Sequence, residues 1–163
     1  MTDLFNQENK GACFSSCGKY RYYLWRKWDL EKPFIAFVGL NPSTANQTDD
    51  DPTIRRVKRF AFDWGYGGIY MLNLFAFVTP YPAELITCGD PIAENNEKLL
   101  EIAALANEVV YCWGNFNVIG RDIEVVRLLR YTAGVKGYCL GKNANGSPKH
   151  PLYLKADTKL EEY

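Results

Sequence analysis

The sequence predicts a single α/β domain whose central sheet is parallel and covered by helices on both faces. Two continuous apolar runs, FIAFVGL (34–40) and IYMLNLFAF (69–77), have the length and composition of strands buried on both sides. Segments with apolar residues at helical spacing alternate with these and later strands, the pattern of βαβ units. The chain has 163 residues, 47% of them hydrophobic and 15% aromatic. That is enough for one packed core, and no repeat or Pro/Gly/Ser-rich linker divides it.

Taken in order, KYRYYLWRKW (19–28) mixes aromatic and basic residues as a half-buried strand does, and a turn from Asp29 to Pro33 leads into the first buried strand, 34–40. Asp51 followed by Pro52 reads as an N-cap and first helical residue; Ile54, Val57, Phe60 or Ala61, and Trp64 then recur at helical spacing up to the glycines of WGYGG. The second buried strand, 69–77, runs into the proline-bearing loop VTPYP. Asp90 is placed to cap a second helix from Pro91 to Asn107, whose apolar positions are Ile92, Leu99, Ile102, Ala103 and Ala106. EVVYCW (108–113) is a third strand ending at Gly114. Asn117 to Tyr131 carries Val118, Val125, Leu128 and Leu129 on one helical face, and GYCL (137–140) is a short fourth strand. Residues 1–18 read as an N-terminal tail with a strand or hairpin joining the domain, 19–155 as the domain, and 156–163 as a C-terminal tail.

Nineteen basic and nineteen acidic residues cancel, which excludes a protein that grips duplex nucleic acid mainly through bulk charge. Any DNA or nucleotide partner is expected to engage a local site. The N-terminal MTDLFNQENK lacks the basic-then-apolar order of a signal peptide, and no apolar run approaches the roughly 18 residues of a membrane span. The expectation is a cytoplasmic protein with no membrane partner; the oligomeric state is not legible. The odd number of cysteines, five, argues against a disulfide framework. Cys112 and Cys139 lie in apolar runs as packed thiols. Cys13 and Cys17 in CFSSC form a close pair that needs two more ligands to hold a metal, so no metal or cofactor is expected.

In open parallel sheets ligands bind beyond the carboxyl ends of the strands. Several polar residues fall there: Asn41, Pro42 and Ser43 after the first buried strand, Asn73 within the end of the second, Trp113 and Asn115 after the third, and His150 after the fourth. Asn-Pro-Ser is also ordinary turn chemistry. Asn73, an amide in an apolar run, either bridges two loops or presents its donor and acceptor to a nucleobase edge. His150, the one histidine, stands in NGSPKHPLYL and is either a loop residue or an acid–base group. Asp49, Asp50 and Asp51 have hard oxygens suited to a divalent ion, but Asp51 is already explained as a cap and adjacent carboxylates cannot all face one point. Arg55 and Arg56 lie in a basic helical run that is either a solvated face or a phosphate contact, and Lys149 is a further phosphate candidate.

Together, GLNPSTA, DDPTIRR, NLFAF, WGN and GSPKHPLYL resemble a bacterial family known as domain of unknown function 1643, over about residues 20–155. In motif order that family is similar to the uracil-DNA glycosylase superfamily. The resemblance implies a three-layer α/β/α sandwich around a four-stranded parallel sheet. It also implies binding of a nucleobase in DNA or a nucleotide, with possible N-glycosidic bond hydrolysis; the alternatives are a non-catalytic module that recognises a modified base or nucleotide and, read from the residues, a divalent-metal hydrolase using Asp49 to Asp51 with His150. Asn41 then matches the residue that places water and Pro42 its companion, Asn73 the base-reading amide, and His150 with Pro151 the catalytic-loop pair. An aromatic neighbour among Phe75, Phe77, Tyr81 and Trp113 would stack on the base. Three departures stand out: Asn41 has no charge to act as a base, HPLYL lacks the second proline and serine of the related loop, and, of the ligand positions of the iron–sulfur cluster that some relatives carry, Cys88 falls near one but Phe77 stands at another.

Overall fold

The computed structural model describes residues 8–106 and 108–163. Asn107, expected to end the second helix, and residues 1–7, where no signal pattern is read, lie outside the described residues. The described residues form a mixed α/β domain with one seven-stranded sheet and four helices. In order these are β1 (Asn9–Phe14), β2 (Arg21–Lys27), β3 (Phe34–Gly39), α1 (Pro52–Asp63), β4 (Gly68–Asn73), α2 (Glu84–Thr87), α3 (Asn95–Ala106), β5 (Glu108–Tyr111), α4 (Arg121–Arg127), β6 (Lys136–Cys139) and β7 (Glu161–Glu162). A π-helical turn, Leu128–Thr132, extends α4. The strand order is β1-β2-β4-β3-β5-β6-β7. β3 pairs in parallel with β4 and β5, and β5 with β6, while β1, β2 and β7 join antiparallel at the two sides.

Because side chains alternate along a strand, each central strand feeds two apolar layers. Ile35, Phe37, Ile69, Met71 and Val110 meet Ile54, Val57, Phe60 and Ala61 of α1 on one face. Ala36, Val38, Tyr70, Leu72, Val109 and Tyr111 meet Leu99, Ile102 and Ala103 of α3, with Val125 and Leu129, on the other. Burying each large apolar side chain stabilises the fold by about 1.5–3 kcal/mol, so both layers are needed to fix the continuous apolar runs of β3 and β4. Asp51 caps α1 as its sequence predicts, its Oδ1 accepting the Ile54 N–H at 2.9 Å.

Element ends differ from the sequence reading for identifiable backbone reasons. Asp90 does not cap a helix directly: its Oδ1 accepts the N–H groups of Ile92 and Ala93, both at 3.0 Å. Ala93 then takes a left-handed φ of 48°, so α3 begins only at Asn95. Ile119 and Gly120 at φ 52° and 78° likewise delay α4 to Arg121. The second apolar run leaves the sheet after Asn73, since the N–H groups of Ala76 and Phe77 turn to the Pro91 carbonyl. Asn73 is therefore at the mouth end of β4 and not in mid-strand. The segments read as tails contribute β1, which pairs with β2 as a hairpin, and the two-residue β7.

Candidate functional site at the carboxyl ends of β3, β4 and β5

A cavity of about 250 Å³ opens where three parallel strands end. Gly39, Leu40 and Asn41 come from the end of β3, Asn73 from β4, Cys112 and Trp113 from the segment after β5, and His150 from the loop after β6. The α1 approach contributes Ser43, Asp51 and Thr53, the loop after β4 contributes Thr79, Pro80 and Pro82, and β2 contributes Arg21.

Five of the eleven residues expected to form the site thus line one cavity, Asn41, Ser43, Asn73, Trp113 and His150, and Asp51, read as a helix cap, joins them. The other six lie elsewhere. Pro42 is buried beneath the loop, its carbonyl accepting the Thr79 N–H at 3.0 Å. Phe75 packs in the core cluster on the α3 side, and Asn115 borders a separate depression beside Trp113. Arg55 donates to the Asp50 carbonyl at 2.8 Å, and Arg56 donates to the Leu154 carbonyl while lying over the Phe60 ring. The Lys149 stem runs past Gly141. Of the four aromatic residues considered for stacking, Trp113 alone borders the cavity; Phe77 packs edge-on against Tyr20, and Tyr81 is 66% exposed.

Asn73 is 2% exposed, and its Nδ2 is buried without a hydrogen-bond partner. It faces Gly39 across the β3–β4 ladder, where a Cβ on residue 39 would come 2.9 Å from Asn73 Oδ1. Glycine at 39 is therefore what lets the amide lie across the strand end. The backbone behind it is clamped: Asn95 Nδ2 donates to the carbonyls of Asn73 and Leu74 at 2.8 and 3.2 Å, and Arg121 Nε donates to the Leu74 carbonyl at 2.8 Å. An unpaired buried amide costs about 1–3 kcal/mol. Here the surrounding bonds hold it in place regardless.

Asn41 is oriented differently. Its Nδ2 donates to the carbonyls of Thr79 at 2.8 Å, Pro42 at 3.0 Å and Phe77 at 3.4 Å, which fixes Oδ1 as the end left for a ligand or water. His150 Nδ1 accepts the Leu152 N–H at 3.2 Å, so the neutral ring carries its proton on Nε2. Although the residue as a whole is exposed, the protein packed around the ring desolvates it and lowers its pKa, with Asp51 pulling the other way. The imidazole is neutral at pH 7 and offers a donor. Burial pushes the Cys112 thiol up to about 12, so this cavity residue is no nucleophile.

The three consecutive aspartates have three separate roles. Asp51 caps α1, and Asp49 accepts the Asn46 side-chain amide at 3.0 Å. Asp50 joins a buried charge cluster, its oxygens 2.7 Å from Arg26 Nε and 2.8 Å from Lys58 Nζ, which also lies 2.9 Å from Glu8. Burial alone would raise the Asp50 carboxyl, but hydrogen bonds from Lys58 and Arg26 outweigh it and hold its pKa below the ordinary value. Among the described residues no group of three His, Cys, Asp or Glu side chains converges as a metal-ligand set.

Sequence reasoning missed Arg21, Asn95 and Arg121, all polar and nearly fully buried. Arg21 looked like one more basic residue of an aromatic strand, and Asn95 and Arg121 sit within ordinary helical segments. Their burial depends on partners 20 or more positions away, the Ala45, Asn73 and Leu74 carbonyls. Among the described residues no helix is long and apolar enough to cross a membrane. No curated protein sequence and no solved structure matches the chain significantly. A family model described as protein of unknown function (DUF1643) matches residues 21–152, which include every residue that lines the cavity, and the chain belongs to that family.

Proposed function

We propose that the cavity binds a nucleobase and hydrolyses its N-glycosidic bond, on a fold arranged like the three-layer sandwich of the uracil-DNA glycosylase superfamily. The adjacency of parallel β4, β3, β5 and β6 between two helical layers supports the fold part of this reading. The observation that carries the functional part is the orphan Nδ2 of Asn73 in a cavity wall. A base carbonyl satisfies it, and the adjacent Oδ1 accepts from a base N–H, the pairing that one amide makes with a pyrimidine edge. Trp113 supplies an apolar ring in the same wall.

Departure of a base leaves negative charge on its carbonyl oxygen and positive charge at the sugar C1′. His150 Nε2–H is the donor for the first. A water oriented by Asn41 Oδ1 attacks C1′, the C1′–N bond breaks with its electron pair going to the base, and Asp51 takes the water proton. The test is chromatographic detection of free base from oligonucleotides and nucleotides carrying uracil, mismatched thymine or modified pyrimidines. Wild type releases base; Asn73→Ala and His150→Ala lower the rate by at least about a hundredfold, as loss of a transition-state donor does. No release from any substrate would overturn the enzyme.

A second reading, recognition of a base without turnover, is favoured by the neutral side chain of Asn41, which cannot accept a proton. Tight binding abolished by Asn73→Ala, with no base released, would select it.

A further inference from the structure

The cavity also holds a charge that base reading and hydrolysis leave unused. Arg21, at the start of β2, is 3% exposed and lines the cavity together with Asp51 and Thr53 at the N-terminal end of α1. Its Nη1 donates to the Ala45 carbonyl at 2.9 Å, Nε is buried without an acceptor, and Nη2 donates to none of the described residues. No ion pair joins Arg21 to a described carboxylate. Asp51, the only acidic residue among those lining the cavity, caps α1 and acts on Arg21 through space. Burial pulls the guanidinium down to about 10, so it stays charged at neutral pH.

A buried cation without a paired anion is costly, and the remaining fork of N–H donors matches the geometry of phosphate and carboxylate oxygens. The twelve-residue α1 adds the positive end of its dipole on the same side, where Thr53 lines the wall. Both observations favour an anion, against the single opposing charge of the Asp51 carboxylate.

We propose that Arg21 and the first turn of α1 form an anion subsite, and that the ligand is a nucleoside monophosphate whose phosphate meets Arg21 while Asn73 reads its base. The base end rests on the function proposed above; the anion end stands independently on Arg21 and the first turn of α1. A terminal monophosphate, unlike a phosphate within a duplex backbone, carries no further chain that a cavity of about 250 Å³ would have to admit. Hydrolysis then adds water across the C1′–N bond and yields free base and sugar phosphate.

The test is calorimetric titration with the common nucleoside 5′-monophosphates, their parent nucleosides and inorganic phosphate, using wild type, Arg21→Gln, Arg21→Lys and Asn73→Ala. In wild type at least one monophosphate binds about tenfold or more tighter than its nucleoside, the contribution of a charge-assisted hydrogen-bonded pair. Arg21→Gln brings that ratio close to one and leaves nucleoside affinity unchanged, while Asn73→Ala weakens nucleoside and monophosphate alike. Arg21→Lys, which keeps the charge and loses the fork, falls between; it carries the test if the glutamine variant does not fold. Arg21-dependent binding of phosphate with no nucleoside binding would retain the subsite and overturn the base reading. Equal affinity for nucleoside and monophosphate, a preference that survives Arg21→Gln, or no Arg21-dependent binding of any probe would overturn the subsite.

Discussion

The two arginines of β2 make opposite use of burial. Arg26 is 0% exposed and fully provided for: Asp50 accepts from Nε at 2.7 Å, Trp25 from Nη1 at 2.8 Å and Asn46 from Nη2 at 2.6 Å, with Glu8 and Lys58 completing the charge cluster. Arg21, five positions earlier on the strand and 3% exposed, donates to the Ala45 carbonyl and, among the described residues, has no counter-charge in contact. One strand therefore carries a saturated guanidinium and an unsaturated one. The first accounts for itself as structure, because it folds the 41–51 loop around a guanidinium and so delivers Asn41, Ser43 and Asp51 to the cavity. The second has no such account among the described residues. With the unpartnered Asn73 amide in the same wall, it marks where a ligand belongs.

The sharpest way to break this contrast is to disturb the saturated end. Asp50→Asn leaves Arg26 and Lys58 with the buried Glu8 as their single carboxylate partner in the cluster. It destabilises the fold by about 3 kcal/mol, the lower end for breaking a buried pair, because the Asp50 side chain retains 17% exposure. Urea unfolding measures this directly. A loss under about 1 kcal/mol would mean the cluster behaves like a surface ion pair and does not anchor the loop.

At the unsaturated end the sign reverses. Asn73→Leu is close in shape and removes a buried donor that has no partner, so stability stays level or rises by up to about 1 kcal/mol while base binding is lost. Unfolding and titration on the same variant separate the two effects. Destabilisation by about 2 kcal/mol or more would place Asn73 with Arg26 as a structural polar group, and the comparison would fail at that residue.

The two ends also differ in how far they could be read from the sequence. The polar interruption of IYMLNLFAF exposes Asn73, and the Asp-Pro pair exposes the α1 cap, because both signals are local. The buried-strand reading of β3 and β4 and the alternation of helix and strand are likewise local and carry over to the structure. Asp50 and Asp51 look alike in DDDPT, yet one joins Arg26 across 24 positions and Lys58 across 8, and the other caps its own helix. Arg21 and Arg26 look alike in RYYLWR for the same reason: the contacts that distinguish them come from the 41–51 loop. The left-handed Ala93 shifts the start of α3 without any breaker that the sequence would flag, whereas at Ile119–Gly120 the glycine is itself a local signal for the later start of α4.

The smallest expected effect lies at the rim of the unsaturated end, in the titration of His150. An unperturbed histidine takes up its proton near 6.5, and in the folded protein burial lowers that value while the Asp51 charge partly opposes the shift. Over the window below 6.5 the unfolded chain binds more protons than the folded one. The contribution of His150 to stability is therefore fully present above that pH and declines as pH falls through the folded value. His150→Gln has no such group. The stability difference between wild type and variant shrinks on going from about pH 7.5 to about pH 5.5, by about a few tenths of a kcal/mol because the ring keeps solvent contact. Paired urea titrations at the two pH values read it. A difference that stays constant would mean the ring titrates as a free surface histidine; one that grows on acidification would mean the imidazolium is stabilised by Asp51, and the cavity would then present a cation where a neutral Nε2–H donor is proposed.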